Sequence, residues 1–150
     1  MEAGLSSIRE LPAGETALAY AAMRELRTHL SSEDEFVHQV DRQRAHGYRL
    51  VGVFIPDAED AVAVAGFWTS ECLSAGRYLY VDDLVTQAEH RNRGHARTLL
   101  DWLTDAARRD GCAVLRLDSA SHRHEAHRFY FGEGMRIASF HFVRGVDAGP

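Results

Sequence analysis

The amino-acid sequence predicts an α/β protein in which helices flank one central sheet, with elements in the order βααβββαβαβ. Three observations carry that reading. Ser32, followed three residues later by Glu35, makes a capping box at the head of a helical pattern. Two strand patterns on either side of Pro56-Asp57-Ala58-Glu59-Asp60 read as a hairpin. The apolar run Leu79 to Val85, a basic turn and the amphipathic segment Arg97 to Arg109 then follow in sequence as strand, turn and helix. A chain of 150 residues, 45% hydrophobic and 26% charged, suits one globular domain over 1–150, with its core from about residue 5 to 143.

Ile8 to Leu11 is the first expected strand. Pro12 and Gly14 turn the chain into an Ala-rich helix running to about Leu30. Behind the capping box a second helix should cover Glu33 to His46 and stop at Gly47. Arg49 to Ile55 and Ala61 to Thr69 are the hairpin strands. A loop, Ser70 to Gly76, leads into the strand Arg77 to Thr86, and Gly111 ends the long helix that follows the basic turn. A strand over Val114 to Asp118, a helix from about Glu125 to Gly132 and a last strand over Arg136 to Val143 complete the order, and Val146 to Pro150 reads as a tail.

Charge and composition exclude several roles. The formal net charge is −5, so the surface as a whole is not built to attract nucleic acid or an anionic membrane. No window approaches the ~18 to 20 apolar residues of a membrane span, and no basic-then-apolar leader opens the chain, which gives a cytoplasmic expectation. Cys72 and Cys112 lack CxxC spacing, and nothing near either supplies both a base and an orienting partner, so they are expected to be buried or idle thiols outside any disulfide or zinc site.

Chemistry concentrates in two segments. The first is the turn Arg91-Asn92-Arg93-Gly94-His95-Ala96 between strand and helix. Arg91 and Arg93 bring positive charge, Gly94 lets backbone approach a ligand, and the first-turn N–H groups of a helix have no intrahelical acceptor. That is an anion site suited to a phosphate-bearing cofactor. It lacks the Gly-Lys-Ser/Thr ending of a P-loop, and it has one glycine where a dinucleotide fingerprint needs three. The second is Arg123-His124-Glu125-Ala126-His127-Arg128-Phe129-Tyr130-Phe131-Gly132-Glu133-Gly134-Met135.

The turn resembles Arg/Gln-x-x-Gly-x-Gly/Ala, the pyrophosphate loop of the GCN5-related N-acetyltransferase (GNAT) superfamily. The downstream segment resembles the same superfamily's Ala-x-x-Phe/Leu-Tyr-x-x-x-Gly-Phe/Met signature. Two such motifs in this order identify far more than either alone. The resemblance implies a mixed, mostly antiparallel sheet flanked by helices, with splayed central strands that bind acyl-CoA. The wording RHEAHRFY is also similar to that of aminoalkylphosphonate N-acetyltransferases, a narrower group.

The resemblance implies acetyl transfer from acetyl-CoA to a primary amine of a small metabolite. It implies that the diphosphate lies on Arg91, Asn92, Arg93, Gly94, His95, Ala96 and Arg97, and that the pantetheine arm pairs with Leu84, Val85 and Thr86, with Val85 as the oxyanion donor. Arg123, Ala126 and Phe129 join the cofactor side. Tyr130 becomes the candidate general acid to the leaving thiolate. A carboxylate ahead of the arm-binding residues serves as base or water-holder; Asp82 is preferred and Asp83 second, because adjacent strand residues face opposite sides.

Many superfamily members have Asn where this chain has Arg123, and the guanidinium there, with Arg128 nearby, suggests an acceptor bearing an acidic group such as an amino acid or aminophosphonate. His122, His124 and His127 crowd one segment, and the narrower resemblance raises a divalent metal, but these residues define no ligand set and none is assigned. The alternatives are a protein or peptide N-acetyltransferase, with an open groove, and a non-catalytic acyl-CoA-binding sensor. A homodimer joined through the apolar last strand is the candidate assembly.

Overall fold

The computed structural model describes residues 5–147. Its elements are β1 (Ser7–Leu11), a 3-10 turn (Thr16–Ala19), α1 (Tyr20–Leu26), α2 (Glu33–Arg44), β2 (Arg49–Phe54), β3 (Ala63–Cys72), β4 (Gly76–Thr86), a second 3-10 turn (Ala88–His90), α3 (His95–Arg109), β5 (Val114–Leu117) and α4 (His124–Gly132). They fall into two units, one ending at Leu117 and one beginning at Asp118.

The first unit holds a five-stranded sheet in the order β1-β2-β3-β4-β5. Neighbours are antiparallel except β4 and β5, whose parallel pairing requires the crossover that α3 provides. This is the mixed, mostly antiparallel sheet flanked by helices that the sequence predicts.

Each face of the sheet carries its own core. Leu99, Leu103, Ala106 and Ala107 of α3 recur at helical spacing and pack on Val51, Val53, Ala63, Ala65, Phe67, Leu79 and Val81. On the other face Ala22 and Met23 of α1 and Phe36 and Val40 of α2 cover Leu11, Leu50, Val64 and Val85. Burying each large aliphatic side chain contributes about 1.5–3 kcal/mol, so these two layers rather than intrinsic helix propensity hold the short helices in place.

Local chemistry explains the boundaries. Ser32 caps α2 as expected, its Oγ accepting from the Glu35 N–H at 3.1 Å. The return arm is displaced by one residue: the Glu35 carboxylate accepts from the N–H of Ser31 at 3.2 Å and from the Ser31 hydroxyl, and these bonds lower its pKa. α2 ends at Arg44, and Gly47, at φ 100°, turns the chain into β2. Arg44 ties the helix back through hydrogen bonds from Nη2 to the Leu11 carbonyl at 3.0 Å and Thr16 Oγ1 at 2.9 Å.

Two expectations need correction. The Ala-rich helix does not run to Leu30; it is a 3-10 turn followed by seven residues of α1, and Arg27 leaves the helical region at φ −107° and ψ 76°. Its guanidinium is drawn instead to the Asp82 carbonyl and the Asp83 carboxylate on β4. The last strand over Arg136 to Val143 is absent: residues 135–147 have no regular structure, and the sheet ends at β5. A strand needs a partner for its backbone groups and a surface for its side chains. Phe140 and Phe142 have neither, at 81% and 91% exposed.

No described helix is long and apolar enough to cross a membrane. Leu103 is fully buried between α3 and the sheet. Leu103→Ala is expected to destabilise the protein by about 2–5 kcal/mol, measured as a lower denaturant midpoint with little change in slope.

Candidate active site

β4 is irregular at one place, and that irregularity builds the site. Its register with β3 pairs Gly66 with Asp83 and Phe67 with Val81, so Asp82 is the extra residue of a β-bulge. A bulge reverses the alternation of side chains beyond it. Leu79 and Val81 lie in the core under α3; past the bulge Val85 lies in the core under α1 and α2, and Leu84 packs on the α3 side. Asp83 therefore turns toward α1 and α2, while Asp82 is exposed.

The Asp83 side chain is 12% exposed and held from two sides. Tyr48, which begins the chain's path into β2, donates its hydroxyl to Asp83 Oδ2 at 2.7 Å. Arg27, just past the end of α1, donates Nε to Oδ1 at 2.8 Å and Nη2 to the Asp82 carbonyl at 2.8 Å. Burial and the Asp83 charge hold the Tyr48 phenol protonated well above its ordinary range.

Gly66 makes room for this contact. A Cβ on Gly66 would fall on Tyr48 Oη and lie 2.8 Å from Asp83 Oδ2. Asp83, Tyr48 and Arg27 border a cavity of about 110 Å³ whose other walls include Met23, Leu30, Phe36 and Val40, with His29, Gln39 and Gln43 at its polar side.

The strand–turn–helix segment lies on the same β4. β5 pairs with β4 only over Tyr78–Val81, so beyond the bulge no described strand covers the second edge of Leu84, Val85 and Thr86. This is the splaying of central strands that the sequence resemblance implies. In the turn, Asn92 adopts φ 64°, the positive value among the described non-glycine residues, and Gly94 follows at φ 82° as the N-cap of α3. Left-handed residues here turn the backbone sharply at the helix N-terminus, a position whose first-turn N–H groups and dipole favour an anion.

Arg91 returns to the strand, donating Nε to the Thr86 carbonyl at 3.4 Å. His95 is buried, its Nε2 has no hydrogen-bond partner among the described residues, and burial lowers its pKa, with the charges of His90 and Arg93 acting in the same direction. A neutral imidazole thus sits behind the turn.

The second unit carries the other motif. Arg123 is the N-cap of α4, with Ala126, Phe129 and Tyr130 along it. The Tyr130 ring packs against Phe129 at 5.5 Å between centroids, and burial raises its pKa while the Arg123 charge draws it partly back. The His124 and His127 rings lie 5.9 Å apart, and the His127 Nε2 is 2.9 Å from the Ala120 carbonyl. Among the described residues no three His, Cys, Asp or Glu side chains converge as a metal set, and Cys72 and Cys112 are free thiols.

A family model described as the acetyltransferase (GNAT) family matches residues 16–132. The chain belongs to the GNAT acetyltransferase family. It is 33% identical over 133 residues to the uncharacterized N-acetyltransferase YhdJ of Bacillus subtilis (strain 168), a match covering 88% of this chain and 92% of that protein. Its fold is that of a ribosomal-protein-alanine N-acetyltransferase from Brucella melitensis biovar Abortus 2308, at TM-score 0.81 and 18% identity over 95% of this chain and 100% of that one. The aminoglycoside N-acetyltransferase AAC(6')-Iy, solved in complex with CoA, superposes equally well, at TM-score 0.81 and 12% identity over 96% of this chain and 97% of that one. At these identities the two structures establish fold alone.

Sequence reasoning on this GNAT chain did not single out Arg27, Tyr48 or Gly66. Gly66 inside an apolar strand pattern was the available signal, since an interior strand glycine often marks a bulge or a close approach. Gly66→Ala should drive Tyr48 off Asp83 and cost about 1–3 kcal/mol in thermal or chemical unfolding, more than an ordinary Gly-to-Ala change in a strand.

Tyr48 also predicts an alkaline effect. Its folded pKa lies above the unfolded value of 10.0, so its contribution to stability is whole below that pH and is lost as pH rises toward the folded value. The chain has no lysine to titrate in this range. Stability measured from pH 9 to 11 should fall more steeply in the native protein than in Tyr48→Phe.

Proposed function

We propose that this protein transfers an acetyl group from acetyl-CoA to the primary amine of a small metabolite. The observation that carries this reading is the bulged β4, whose uncovered edge at Leu84, Val85 and Thr86 leads straight into the left-handed turn and bare N-terminus of α3. An extended pantetheine arm suits the first as an added strand, and a diphosphate suits the second. The family match from residue 16 to 132 runs through both units, which supports one catalytic domain.

Arg91, Asn92, Arg93, Gly94, His95, Ala96 and Arg97 are the proposed diphosphate cradle. Arg123, Ala126 and Phe129 join the cofactor side on the strength of the α4 motif. Bound acetyl-CoA supplies a thioester whose carbonyl carbon accepts the amine lone pair, with loss of the thiolate.

Three tasks then fall to the chain. The amine must first lose a proton, since an alkyl ammonium has pKa near ~10. Of the two neighbouring carboxylates, Asp83 borders the cavity and is oriented by Tyr48, whereas Asp82 is the exposed bulge residue. Preference passes from Asp82 to Asp83 as the group that receives the ammonium and, directly or through water, its proton.

Second, an N–H must meet the carbonyl oxygen as it gains charge. Gln87 donates its N–H to the Val62 carbonyl on the β3 side at 2.9 Å. Two-residue alternation turns the Val85 N–H the same way and those of Leu84 and Thr86 toward the uncovered edge. The Leu84 N–H, next to Asp83, replaces that of Val85 as the proposed oxyanion donor.

Third, the departing sulfur is met by the Tyr130 hydroxyl, the proposed general acid, which donates a hydrogen bond to it as the carbon–sulfur bond breaks. A small-molecule acceptor is favoured over a peptide by the modest cavity at Asp83. The RHEAHRFY segment and Arg123 and Arg128 support an acceptor with an acidic group, of amino acid or aminophosphonate type.

Thiol release from acetyl-CoA over a panel of amines, run with and without divalent metal, tests the proposal; absence of turnover on every amine and peptide refutes it. Tyr130→Phe should lower kcat about 10²-fold or more while leaving the Kd for CoA nearly unchanged, and an unaltered kcat would remove Tyr130 from the mechanism.

A further inference from the structure

The cavity beside β4 contains one anionic and one cationic side chain, and they neutralise each other. Asp83 is fixed: its carboxylate lies in the sheet layer, 12% exposed, with Oδ2 accepting from the buried Tyr48 hydroxyl at 2.7 Å. Arg27 is the more exposed partner. It stands one residue past the end of α1, its side chain is 43% exposed, and its guanidinium spans Asp83 Oδ1 and the Asp82 carbonyl. Beyond the pair, Met23, Leu30, Phe36 and Val40 form an apolar part of the wall, and His29, Gln39 and Gln43 a polar part.

A lone ammonium entering here would displace Arg27 from Asp83 and leave the guanidinium without its counter-ion. A lone anion would do the same to Asp83. Either exchange costs free energy, because an ion taken partly out of water is tolerated only with a compensating partner. A molecule bearing both charges on neighbouring atoms restores both pairs: its ammonium replaces Arg27 on Asp83, and its acid group takes the guanidinium in a two-pronged contact.

We infer that the acceptor is a small zwitterion with an apolar body, an amino acid or its close analogue, which inserts into the Arg27–Asp83 ion pair with Tyr48 holding the carboxylate still. This rests on the acetyl-transfer reading and adds the residues that set acceptor class. Inserted in this way, the amine nitrogen sits at Asp83, one residue ahead of the strand edge assigned to the acyl carrier. Arg27 and Tyr48 are then specificity and positioning residues rather than catalytic ones.

The test compares three matched series, built on glycine, alanine and leucine, each as the free amino acid, its methyl ester and the amine lacking the acid group. kcat/KM from thiol release, and acceptor binding by calorimetry on the full chain, are measured for native protein, Arg27→Gln and Arg27→Lys. The native protein should prefer at least one free amino acid over its ester and its amine by about tenfold or more. That ratio should fall toward one in Arg27→Gln and recover in part in Arg27→Lys, with all three proteins melting cooperatively.

Equal rates or affinities across each native series overturn the proposal, as does a preference that survives in Arg27→Gln. Heat with acetyl-CoA but none with any amino acid also overturns it. Absence of heat with acetyl-CoA, alongside selective binding of a zwitterion that Arg27→Gln abolishes, overturns acetyl transfer and leaves the acceptor site standing.

Discussion

One inserted residue in β4 sets the geometry on which everything else depends. Without Asp82 as a bulge, residues 79, 81, 83 and 85 would all face α3, and a carboxylate would be driven into an apolar layer of Val, Leu and Phe. The bulge sends Asp83 and Val85 to the opposite face and brings Leu84 to the α3 side. It also divides the strand by task. Before it, Tyr78–Val81 pair on both sides, with β3 and with β5; after it, β3 is the partner among the described strands. Polar site and open edge are thus two outcomes of one local distortion.

Asp83 is too well placed to be explained by stability. Withdrawing a carboxylate from water costs several kcal/mol even after relaxation. Against that stand one neutral and one charged donor, Tyr48 and Arg27, and hydrogen bonds to charged groups contribute about 1.5–3 kcal/mol each. The sums nearly cancel, so an apolar residue would serve the fold at least as well. Further constraints accumulate around the same carboxylate: a glycine at 66 with no space for a methyl group, a tyrosine whose proton burial retains, and α1 ended where Arg27 reaches the strand. Such a concentration of features on one side chain fits the role in chemistry and recognition proposed for it.

Legibility in the sequence followed the range of the forces involved. Elements governed by short-range pattern were readable: the Ser32 cap, the Gly47 and Gly111 stops, the hairpin strands and the helical stripe of α3. The anion turn was readable because charge, glycine and helix start are adjacent in the chain. Asp82-Asp83 carried no mark of a bulge, since two identical residues in an apolar strand fit either register, and parity alone could not choose between them. Tyr48 at the entry to β2, Gly66 on β3 and Asp83 on β4 meet across the sheet, so their contact is written in sheet register rather than in any window of sequence. The segment over 136–143 failed in the opposite sense. Its local pattern is that of a strand, yet pairing is a property of two segments, and the described sheet stops at β5.

The tyrosine on α4 poses a last problem of proton affinity. Burial holds the Tyr130 phenol above its ordinary pKa of 10.0, whereas a thiolate has a conjugate acid near ~8.5. Full proton transfer from phenol to free thiolate is therefore uphill. A stepwise scheme in which the thiolate leaves first and is protonated afterwards gains nothing from this residue. In the role proposed for it, the phenol would help only while the carbon–sulfur bond is breaking, when a hydrogen bond to the developing charge lowers the barrier without the proton having to cross completely. Raised acidity would weaken that role by ionising the donor at working pH. Burial that keeps Tyr130 neutral is the form of tuning a hydrogen-bond donor to a leaving group requires, and Arg123, drawing the pKa partly back, limits how far the mismatch grows.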